Sequence, residues 1–415
     1  MPVKSKYPDI ELVDCGLYEY LFASLKEEDE ERTAIIDVAD GSETNYAQLR
    51  NYIESTAGWL HHKGIRKGDV VALHLPNSLA FVIAVHAIWR LGAVVTPVNL
   101  LSTPASIANQ MADSGATMYL TAAALGEVGA EGAREGGIAE DRIVALDTAS
   151  GLQQILAERR KAPAVEVRGS DLAALPYSSG TTGLPKGVCL NHHQLVNNIV
   201  QAQAFGITRR EDVVYGVLPF FHIYGMTALM NLVVAQRAVL VAVPRFDLQS
   251  FLEHHQKYSV TFTMIAPPIA VALAKHPMVD NYDLSSMRAI FSGAATMDTE
   301  LALAVEKRLG IHVQQGFGMT ETSPFAHGNL DKDVERGSIG RPAPSTEHMI
   351  VDVESGEEIP TPDDGKSEVG ELWVRGPQIM EGYLNRPEET AHALPGDGWL
   401  RTGDLACHDA DGNVF

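Results

Sequence analysis

The fold class is indicated first by residues 70–98, which read VVALHLPNSLAFVIAVHAIWRLGAVVTPV. The apolar run Val70–Leu75 predicts a buried strand, and Ser78 after it has a side chain suited to capping a helix. Apolar residues then recur at helical spacing over Leu79–Leu91. Because Ala93–Val98 has the pattern of a second strand, the stretch predicts a βαβ unit with two parallel strands and a right-handed crossover.

Strands and helices alternate again further along the chain. More strands are predicted at Ala238–Val243, Val260–Ile265, Arg288–Phe291 and Ile311–Gln315. Helices between them are predicted at Leu248–Tyr258 with Asp247 as its cap, after Pro267 and Pro268, and from the capping residue Asp298 to Gly310. After Pro324, Gly and Pro interrupt short apolar runs. The sequence therefore predicts an α/β fold with two α/β subdomains, residues 1–200 and 201–329, and a smaller β-rich subdomain over residues 330–415.

The composition excludes several classes of partner. Of the 415 residues, 32 are Lys or Arg and 53 are Asp or Glu, so the formal net charge is 32 − 53 = −21. A phosphate backbone or an anionic membrane surface requires a basic face, so we expect neither a nucleic-acid partner nor binding to an anionic membrane surface. Polar residues interrupt the apolar stretches Val71–Val98 and Leu229–Val243, so we also expect no transmembrane helix and no integral membrane contact. Cys15, Cys189 and Cys407 lie far apart, without metal-ligand spacing and without a complete disulfide set. The N-terminal sequence lacks the apolar core of a signal peptide, and we predict a cytoplasmic protein.

The strongest functional segment is YSSGTTGLPKG at Tyr177–Gly187, between two predicted strands. Glycines let backbone N–H groups approach an anion, hydroxyls donate further hydrogen bonds, and Lys186 adds a positive charge. The segment therefore predicts a polyphosphate grip, although it fails the GxxxxGK[ST] pattern of a Walker loop, and a Ser/Thr/Gly turn without a ligand is the alternative. The residues expected to contact phosphates are Ser178, Ser179, Gly180, Thr181, Thr182, Gly183 and Lys186.

This segment resembles the phosphate loop of the adenylate-forming superfamily, which includes acyl-CoA synthetases, luciferases and peptide-synthetase adenylation domains. Further segments match that superfamily in its order along the chain: Gln315–Glu321, Gly370–Gly376, Gly382–Tyr383 and Gly398–Asp404. The His-Ile-Tyr triplet and the Ser-Gly-Ala-Ala loop at residues 292–295 resemble those of 4-coumarate–CoA ligases and medium-chain acyl-CoA synthetases. The resemblance implies the fold of the large N-terminal domain of such an enzyme.

The resemblance also implies a nucleotide site. Phe317, where many relatives have tyrosine, would stack on adenine, and Thr320 would donate to the α-phosphate of ATP. Glu321 would ligate Mg²⁺, with a solvated surface carboxylate as the alternative. Asp404 would accept hydrogen bonds from both ribose hydroxyls, although alone it would be read as a turn residue. The remaining residues expected to line the nucleotide are Ala294, Ala295, Gln315 and Gly316.

The acid would lie beside His222, which by default would be a satisfied core histidine. Tyr224 would line the same pocket. No carboxylate occurs in Phe221–Tyr224, so the ammonium of an amino acid would stay unpaired, and we expect an acid with an uncharged tail. The resemblance implies that this acid is aromatic and cinnamate-like, or medium-chain. The other expected pocket residues are Ala228, Phe291, Gly293 and Gly318, and the adjoining loop continues into Thr296 where relatives commonly have proline.

The implied reaction activates a carboxylic acid with ATP to an acyl-adenylate and then to an acyl-CoA, with CoA as co-substrate and pyrophosphate and AMP as products. Thr320, Glu321 and His222 would be the catalytic residues. Relatives continue through a hinge after Asp411-Gly412 into a domain that carries a catalytic lysine. Because the sequence ends at Phe415, before that hinge, we expect this chain to bind ATP and acid but to form acyl-CoA at a negligible rate. The alternatives are a nucleotide-binding regulatory module without turnover and a luciferase-like adenylating oxygenase. No oligomeric state is predicted.

Overall fold

The structure is a computed structural model that describes residues 2–148, 150–178, 185–330, 335 and 337–415. Five residues of the predicted phosphate grip lie outside the described residues: Ser179, Gly180, Thr181, Thr182 and Gly183. The flanking residues Ser178 and Lys186 are described.

The strands, numbered in chain order, are β1 (Val3–Lys4), β2 (Thr33–Asp37), β3 (Ser42–Asn45), β4 (Val70–His74), β5 (Val94–Pro97), β6 (Met118–Thr121), β7 (Ile143–Ala145), β8 (Leu172–Ala174), β9 (Tyr177–Ser178), β10 (Lys186–Asn191), β11 (Val213–Gly216), β12 (Val239–Ala242), β13 (Phe262–Ile265), β14 (Ala289–Ser292), β15 (His312–Gly318), β16 (Phe325–Gly328), β17 (Arg341–Pro342), β18 (Glu347–Val351), β19 (Glu358–Ile359), β20 (Gly370–Arg375), β21 (Gly382–Tyr383) and β22 (Trp399–Ala406).

The α-helices are α1 (Leu17–Phe22), α2 (Glu27–Glu30), α3 (Tyr46–His62), α4 (Leu79–Arg90), α5 (Pro104–Ser114), α6 (Gly126–Glu135), α7 (Leu152–Glu158), α8 (His192–Phe205), α9 (Leu232–Ala235), α10 (Leu248–Tyr258), α11 (Pro267–Lys275), α12 (Thr299–Leu309) and α13 (Pro387–Ala393). Short 3₁₀ turns occur at Ala123–Leu125, Glu140–Arg142, Pro277–Asn281 and Thr320–Thr322, and a π-helical segment covers Tyr224–Asn231.

The described strands form three sheets, and this mixture of helices and sheets confirms the predicted α/β class. The first sheet has the order β21-β10-β8-β5-β4-β6-β7, with β9 also paired to β10. The second sheet has the order β17-β16-β15-β14-β13-β11-β12-β2-β3 and is parallel from β15 to β2. The third sheet is antiparallel, with the order β1-β18-β20-β22 and β19 paired to β18.

The predicted βαβ unit is present as β4, α4 and β5. The two strands pair in parallel, and Ser78 caps α4 by accepting the N–H of Phe81 at 3.2 Å. Every residue from Phe81 to Trp89 is buried, as expected for a helix that is apolar on all sides. The helix contacts β4 and β5 of the first sheet and β2 of the second, so it forms part of the core between the two sheets.

Strand pairing crosses the predicted subdomain boundaries at residues 200 and 329. The early strands β2 and β3 extend the second sheet, β1 pairs with β18 of the third sheet, and β21 pairs with β10 of the first. The three-way division of the chain stays a prediction.

Within the described part of the chain, no helix is both long enough and apolar enough to span a membrane.

Candidate active site

A cleft opens where β14 and β15 of the second sheet end, with about 470 Å³ of empty space that includes its opening to solvent. In an open α/β sheet, loops at the carboxyl ends of parallel strands are the usual ligand site. All of the predicted acid-pocket residues line this cavity: His222, Tyr224, Ala228, Phe291, Gly293 and Gly318. Three of the predicted nucleotide residues line it as well: Ala294, Gly316 and Phe317. The structure therefore places the predicted acid-pocket residues and part of the predicted nucleotide group around one cavity.

Tyr224 forms one wall of the cavity at the start of the π-helical segment. Its burial raises the pKa of the phenol, so the hydroxyl stays protonated. Within the described residues that hydroxyl has no hydrogen-bond partner. The tyrosine ring fits only because residue 293 is glycine, since a Cβ there would lie 2.9 Å from Cζ of Tyr224. The width of the cavity at this point is thus set by Gly293 and Tyr224 together.

His222 faces the cavity and is exposed to it, which disfavours the interpretation as a satisfied core histidine. The surrounding protein disfavours the charged imidazole and lowers the pKa of His222, although the ring remains accessible through the open cleft. Its Nδ1 accepts the backbone N–H of Tyr224 at 3.3 Å. A neutral His222 with Nδ1 as acceptor carries its proton on Nε2. The side chain can therefore donate one hydrogen bond from that nitrogen.

The loop after β14 contains the predicted nucleotide residues Ala294 and Ala295, and both are exposed. Ala294 has a left-handed backbone, with φ of +68°. The buried side chain of Gln315 braces the same loop, because its Oε1 accepts the backbone N–H of Met297 at 3.3 Å. The backbone N–H of Gln315 in turn donates to the side chain of Asn329. Gln315 therefore supports the loop through its side chain.

The predicted adenine residue Phe317 is partly buried at the end of β15, where pairing with β16 shifts between Phe317 and Gly318. Its ring meets the ring of His327 at a centroid distance of 6.0 Å, which leaves part of it at the cavity wall. Thr320 follows at the start of the 3₁₀ turn Thr320–Thr322 and is partly exposed. The segment therefore presents an aromatic face at the cavity wall, whereas Thr320 does not line the cavity.

Glu321 is buried, with 5% of its surface exposed, so it is not a solvated surface carboxylate. Its Oε1 accepts hydrogen bonds from the hydroxyls of Ser178, at 3.2 Å, and Tyr383, at 2.9 Å. Within the described residues, Glu321 forms no ion pair. A buried carboxylate normally has a cationic partner, so this residue fits a metal ion that is also held by phosphates. No group of three His, Cys, Asp or Glu side chains in the described residues could hold a metal alone.

Lys186 lies at the start of β10, which pairs with β9 so that Lys186 is opposite Ser178. Its Nζ lies 5.1 Å from the centre of the Tyr383 ring. Ser178, Lys186, Glu321 and Tyr383 are therefore neighbours, and the structure joins the two ends of the predicted phosphate grip to the predicted metal ligand. The sequence singled out Gly382–Tyr383 as a matching segment but assigned Tyr383 no role.

Asp404 lies on the third sheet within β22 and is exposed. Nearby protein that shields its carboxylate from water and the negative charge of Glu371 both raise the pKa of Asp404. Sequence reasoning gave Glu371 no role, yet its carboxylate accepts the backbone N–H of Gly403, the residue before Asp404, at 3.1 Å. No pattern in the sequence indicates this contact, because it joins residues that are distant along the chain.

Comparison with known proteins adds independent findings. The profile of the family described as AMP-binding enzyme matches residues 22–384. The chain is 37% identical over 431 residues to 4-coumarate–CoA ligase 2 of Nicotiana tabacum, covering 99% of this chain and 77% of the relative. The crystal structure of a long-chain fatty-acid–CoA ligase from Archaeoglobus fulgidus superposes with a TM-score of 0.90 at 26% identity, covering 99% of this chain and 86% of that one. A luciferase-like enzyme of the mealworm Zophobas morio shares the fold, with a TM-score of 0.89 at 23% identity and coverage of 100% and 98%.

Proposed function

The chain belongs to the family of AMP-binding enzymes, and we propose that it activates a carboxylic acid with ATP as the acyl-adenylate and then forms the acyl-CoA thioester. The observation that carries this proposal is the shared cavity. Residues expected at the acid, such as His222 and Tyr224, and residues expected at the nucleotide, such as Ala294 and Phe317, line the same space. An acid bound there would have its carboxylate beside the α-phosphate, which is the geometry that adenylation requires.

The reaction needs no protein nucleophile. In the first step a carboxylate oxygen of the acid attacks the α-phosphorus, the bond to the β-phosphate oxygen breaks, and pyrophosphate leaves. In the second step the sulfur of CoA, having lost its proton, attacks the acyl carbon, and AMP leaves. The protein would act by holding the reactants and by stabilising charge. Thr320 would donate to the α-phosphate, and His222 would donate from Nε2 near the carboxylate.

We propose Glu321 as the protein ligand of Mg²⁺. Its support is the burial of this carboxylate and the absence of an ion pair to it within the described residues. Bound Mg²⁺ would neutralise phosphate charge, which matters because the chain has a formal net charge of −21. Ser178 and Tyr383 hold Oε1 of Glu321, and their hydrogen bonds would orient the carboxylate toward the metal and its phosphates.

We further propose that the acid has an uncharged tail, aromatic and cinnamate-like or medium-chain. The residues that line the cavity include no Asp, Glu, Lys or Arg within the described part of the chain. A charged tail would lose its hydration there without gaining an ionic partner, which is costly.

Acid-dependent exchange of labelled pyrophosphate into ATP tests the proposal. A matched pair of acids makes the test sharp: 3-phenylpropanoate and phenylalanine differ only by the ammonium group of the amino acid. The proposal predicts exchange with 3-phenylpropanoate or other uncharged-tail acids and none with phenylalanine. Saturable ATP binding without exchange for any acid, also when the chain is joined to the lysine-bearing domain of a relative, would indicate a regulatory module. Light emission or oxygen uptake after adenylation would indicate an oxygenase.

The expectation that thioester formation depends on a further domain stays a prediction. Pyrophosphate exchange and acyl-CoA yield, measured in parallel on the 415-residue chain, test it. A thioester rate comparable to the rate of exchange would contradict the expectation.

A further inference from the structure

The two strands that carry Glu371 and Asp404 do not pair regularly. Trp373 of β20 lies opposite Arg401 of β22, whereas Glu371 lies opposite Leu405. The segment 402–404 therefore bulges opposite the single residue Leu372. A bulge changes the direction in which its side chains point, and Asp404 belongs to this bulge. Its middle residue, Gly403, has φ of +77°, a conformation that favours glycine.

The carboxylate of Glu371 connects Arg401, the residue before this bulge, to Gly403 in its middle. Its Oε2 accepts from Nε of Arg401 at 3.1 Å and from the indole N–H of Trp373 at 3.0 Å. Its Oε1 accepts the backbone N–H of Gly403 at 3.1 Å. Only 8% of Glu371 is exposed. A buried carboxylate with donors to both oxygens has one preferred orientation, so Arg401 and Gly403 are fixed relative to each other.

A second contact tightens the same bulge. The hydroxyl of Thr402 donates to the carbonyl of Leu372 at 2.7 Å and accepts the backbone N–H of Asp404 at 3.1 Å. Without Glu371, the N–H of Gly403 would lose its acceptor and Arg401 its counter-ion. The exposed Asp404 would then depend on the Thr402 hydroxyl alone for its position.

We propose that Glu371 is a positioning residue for the nucleotide, which acts by holding the bulge that presents Asp404. This rests on the proposed function and on the binding of the ribose hydroxyls by Asp404 that the family resemblance implies. A carboxylate meets two vicinal hydroxyls only if its position and direction are fixed, because both hydrogen bonds depend on geometry. The contribution of Glu371 is therefore confined to nucleotides that have ribose hydroxyls.

The test compares ATP with 2′,3′-dideoxy-ATP by calorimetry in the presence of Mg²⁺. Wild-type protein should prefer ATP by about tenfold or more, the expected worth of charge-assisted hydrogen bonds. Asp404→Ala should abolish this preference. Glu371→Ala should reduce it several-fold while leaving the affinity for dideoxy-ATP unchanged. In the double variant the two losses should not add, because both remove the same contact.

Glu347→Ala is the matched control. Glu347 lies on β18 of the same sheet, where its Oε2 accepts from Arg375 at 2.5 Å and its Oε1 lies 3.5 Å from Lys4. Removing it breaks a carboxylate–arginine pair in this sheet without touching the bulge. The Glu347→Ala variant should prefer ATP over dideoxy-ATP as strongly as the wild type does. Glu371→Gln, which keeps one acceptor oxygen and disturbs the fold least, should show a smaller reduction in the same direction.

Three outcomes would overturn the proposal. A wild-type preference for ATP in both Glu371 variants would show that the bulge holds Asp404 without Glu371. Equal weakening of ATP and dideoxy-ATP would show a general structural role. If Asp404→Ala itself leaves the preference unchanged, the assignment of the ribose site fails and the role of Glu371 fails with it. That last result leaves the exchange of pyrophosphate as a separate test of the proposed reaction.

Discussion

The hydroxyl of Tyr383 donates to Oε1 of Glu321 at 2.9 Å. This contact joins β21, which pairs with β10 of the first sheet, to the turn that follows β15 of the second sheet. Neighbouring Met380 donates its backbone N–H to the carbonyl of Glu321 at the same distance, 2.9 Å. The segment 380–383 therefore holds both the backbone and the side chain of the proposed metal ligand.

Tyr383→Phe should raise the Mg²⁺ concentration that gives half of the full ATP affinity by about fivefold. The reason is that Glu321 loses one of two hydroxyl donors, a contact worth about 1 kcal/mol. At saturating Mg²⁺, the ATP affinities of the wild type and of Tyr383→Phe should be equal. Tyr18→Phe is the control, since the hydroxyl of Tyr18 donates to a different carboxylate, that of Glu54, at 2.7 Å. Identical Mg²⁺ titrations for wild type and Tyr383→Phe would contradict the contact's proposed role.

Asp404→Ala should weaken ATP binding by about 1.5–3 kcal/mol, and Asp411→Ala should leave it unchanged. Asp411 is also an exposed aspartate of this region, but its Oδ1 pairs with Nζ of Lys6 at 3.0 Å. Calorimetric titration of both variants with ATP measures the difference. Equal affinities would remove Asp404 from the nucleotide site.

Gly293→Ala should impair use of the acid while ATP affinity holds. The new Cβ would lie 2.9 Å from Cζ of Tyr224 and would push the ring into the cavity. We expect the KM for the acid to rise and the preference among acids to shift toward smaller ones. Replacing Tyr224 by Ala in the same chain should relieve the clash and admit larger acids.

Gly126→Ala is the control for Gly293→Ala, because a Cβ added at Gly126, within α6, would meet open space. An unchanged acid profile in Gly293→Ala would place the acid elsewhere.

Stability should fall as pH is lowered below about 6.5, owing to buried neutral histidines. Nε2 of His327 lies 3.1 Å from Nδ1 of His348, and Nε2 of His348 lies 3.1 Å from Nδ1 of His408. Burial lowers the pKa of His327 to about 3. Between the folded and unfolded pKa values only the unfolded chain binds the proton, so each such histidine costs about 1.4 kcal/mol per pH unit as pH falls. Between pH 7.5 and pH 5, the urea midpoint of unfolding should fall less for His327→Gln than for the wild type. Equal losses would contradict this.

Local features of the fold could be predicted from the sequence. Ser78, Asp247 and Asp298 were predicted to cap helices, and each accepts a backbone N–H of the first turn of its helix. A cap depends only on the few residues around it, so the sequence contains the necessary information. The boundaries of α10 agree fully with the predicted Leu248–Tyr258.

Long-range pairing could not be predicted in this way. β2 and β21 are too short to be recognised from periodicity. Nothing in their residues indicates that they join sheets built mainly from other parts of the chain. The π-helical segment Tyr224–Asn231 has no distinct periodicity either. The resemblance grouped the acid-pocket residues, and the structure places them around one cavity, but their role stays a prediction. The contacts of Tyr383 to Glu321 and of Glu371 to Gly403 arise only in the tertiary structure.

The central claim is that one cleft holds both halves of an acyl-adenylate. The most direct test is a crystal structure of the chain with a non-hydrolysable mimic, 3-phenylpropanoyl-sulfamoyl-adenosine. The account predicts adenine against Phe317, ribose hydroxyls on Asp404, and the phenyl tail inside the cavity beside Tyr224 and Gly293. Adenosine bound away from Phe317 and Asp404, or a tail that lies outside the cavity, would contradict it.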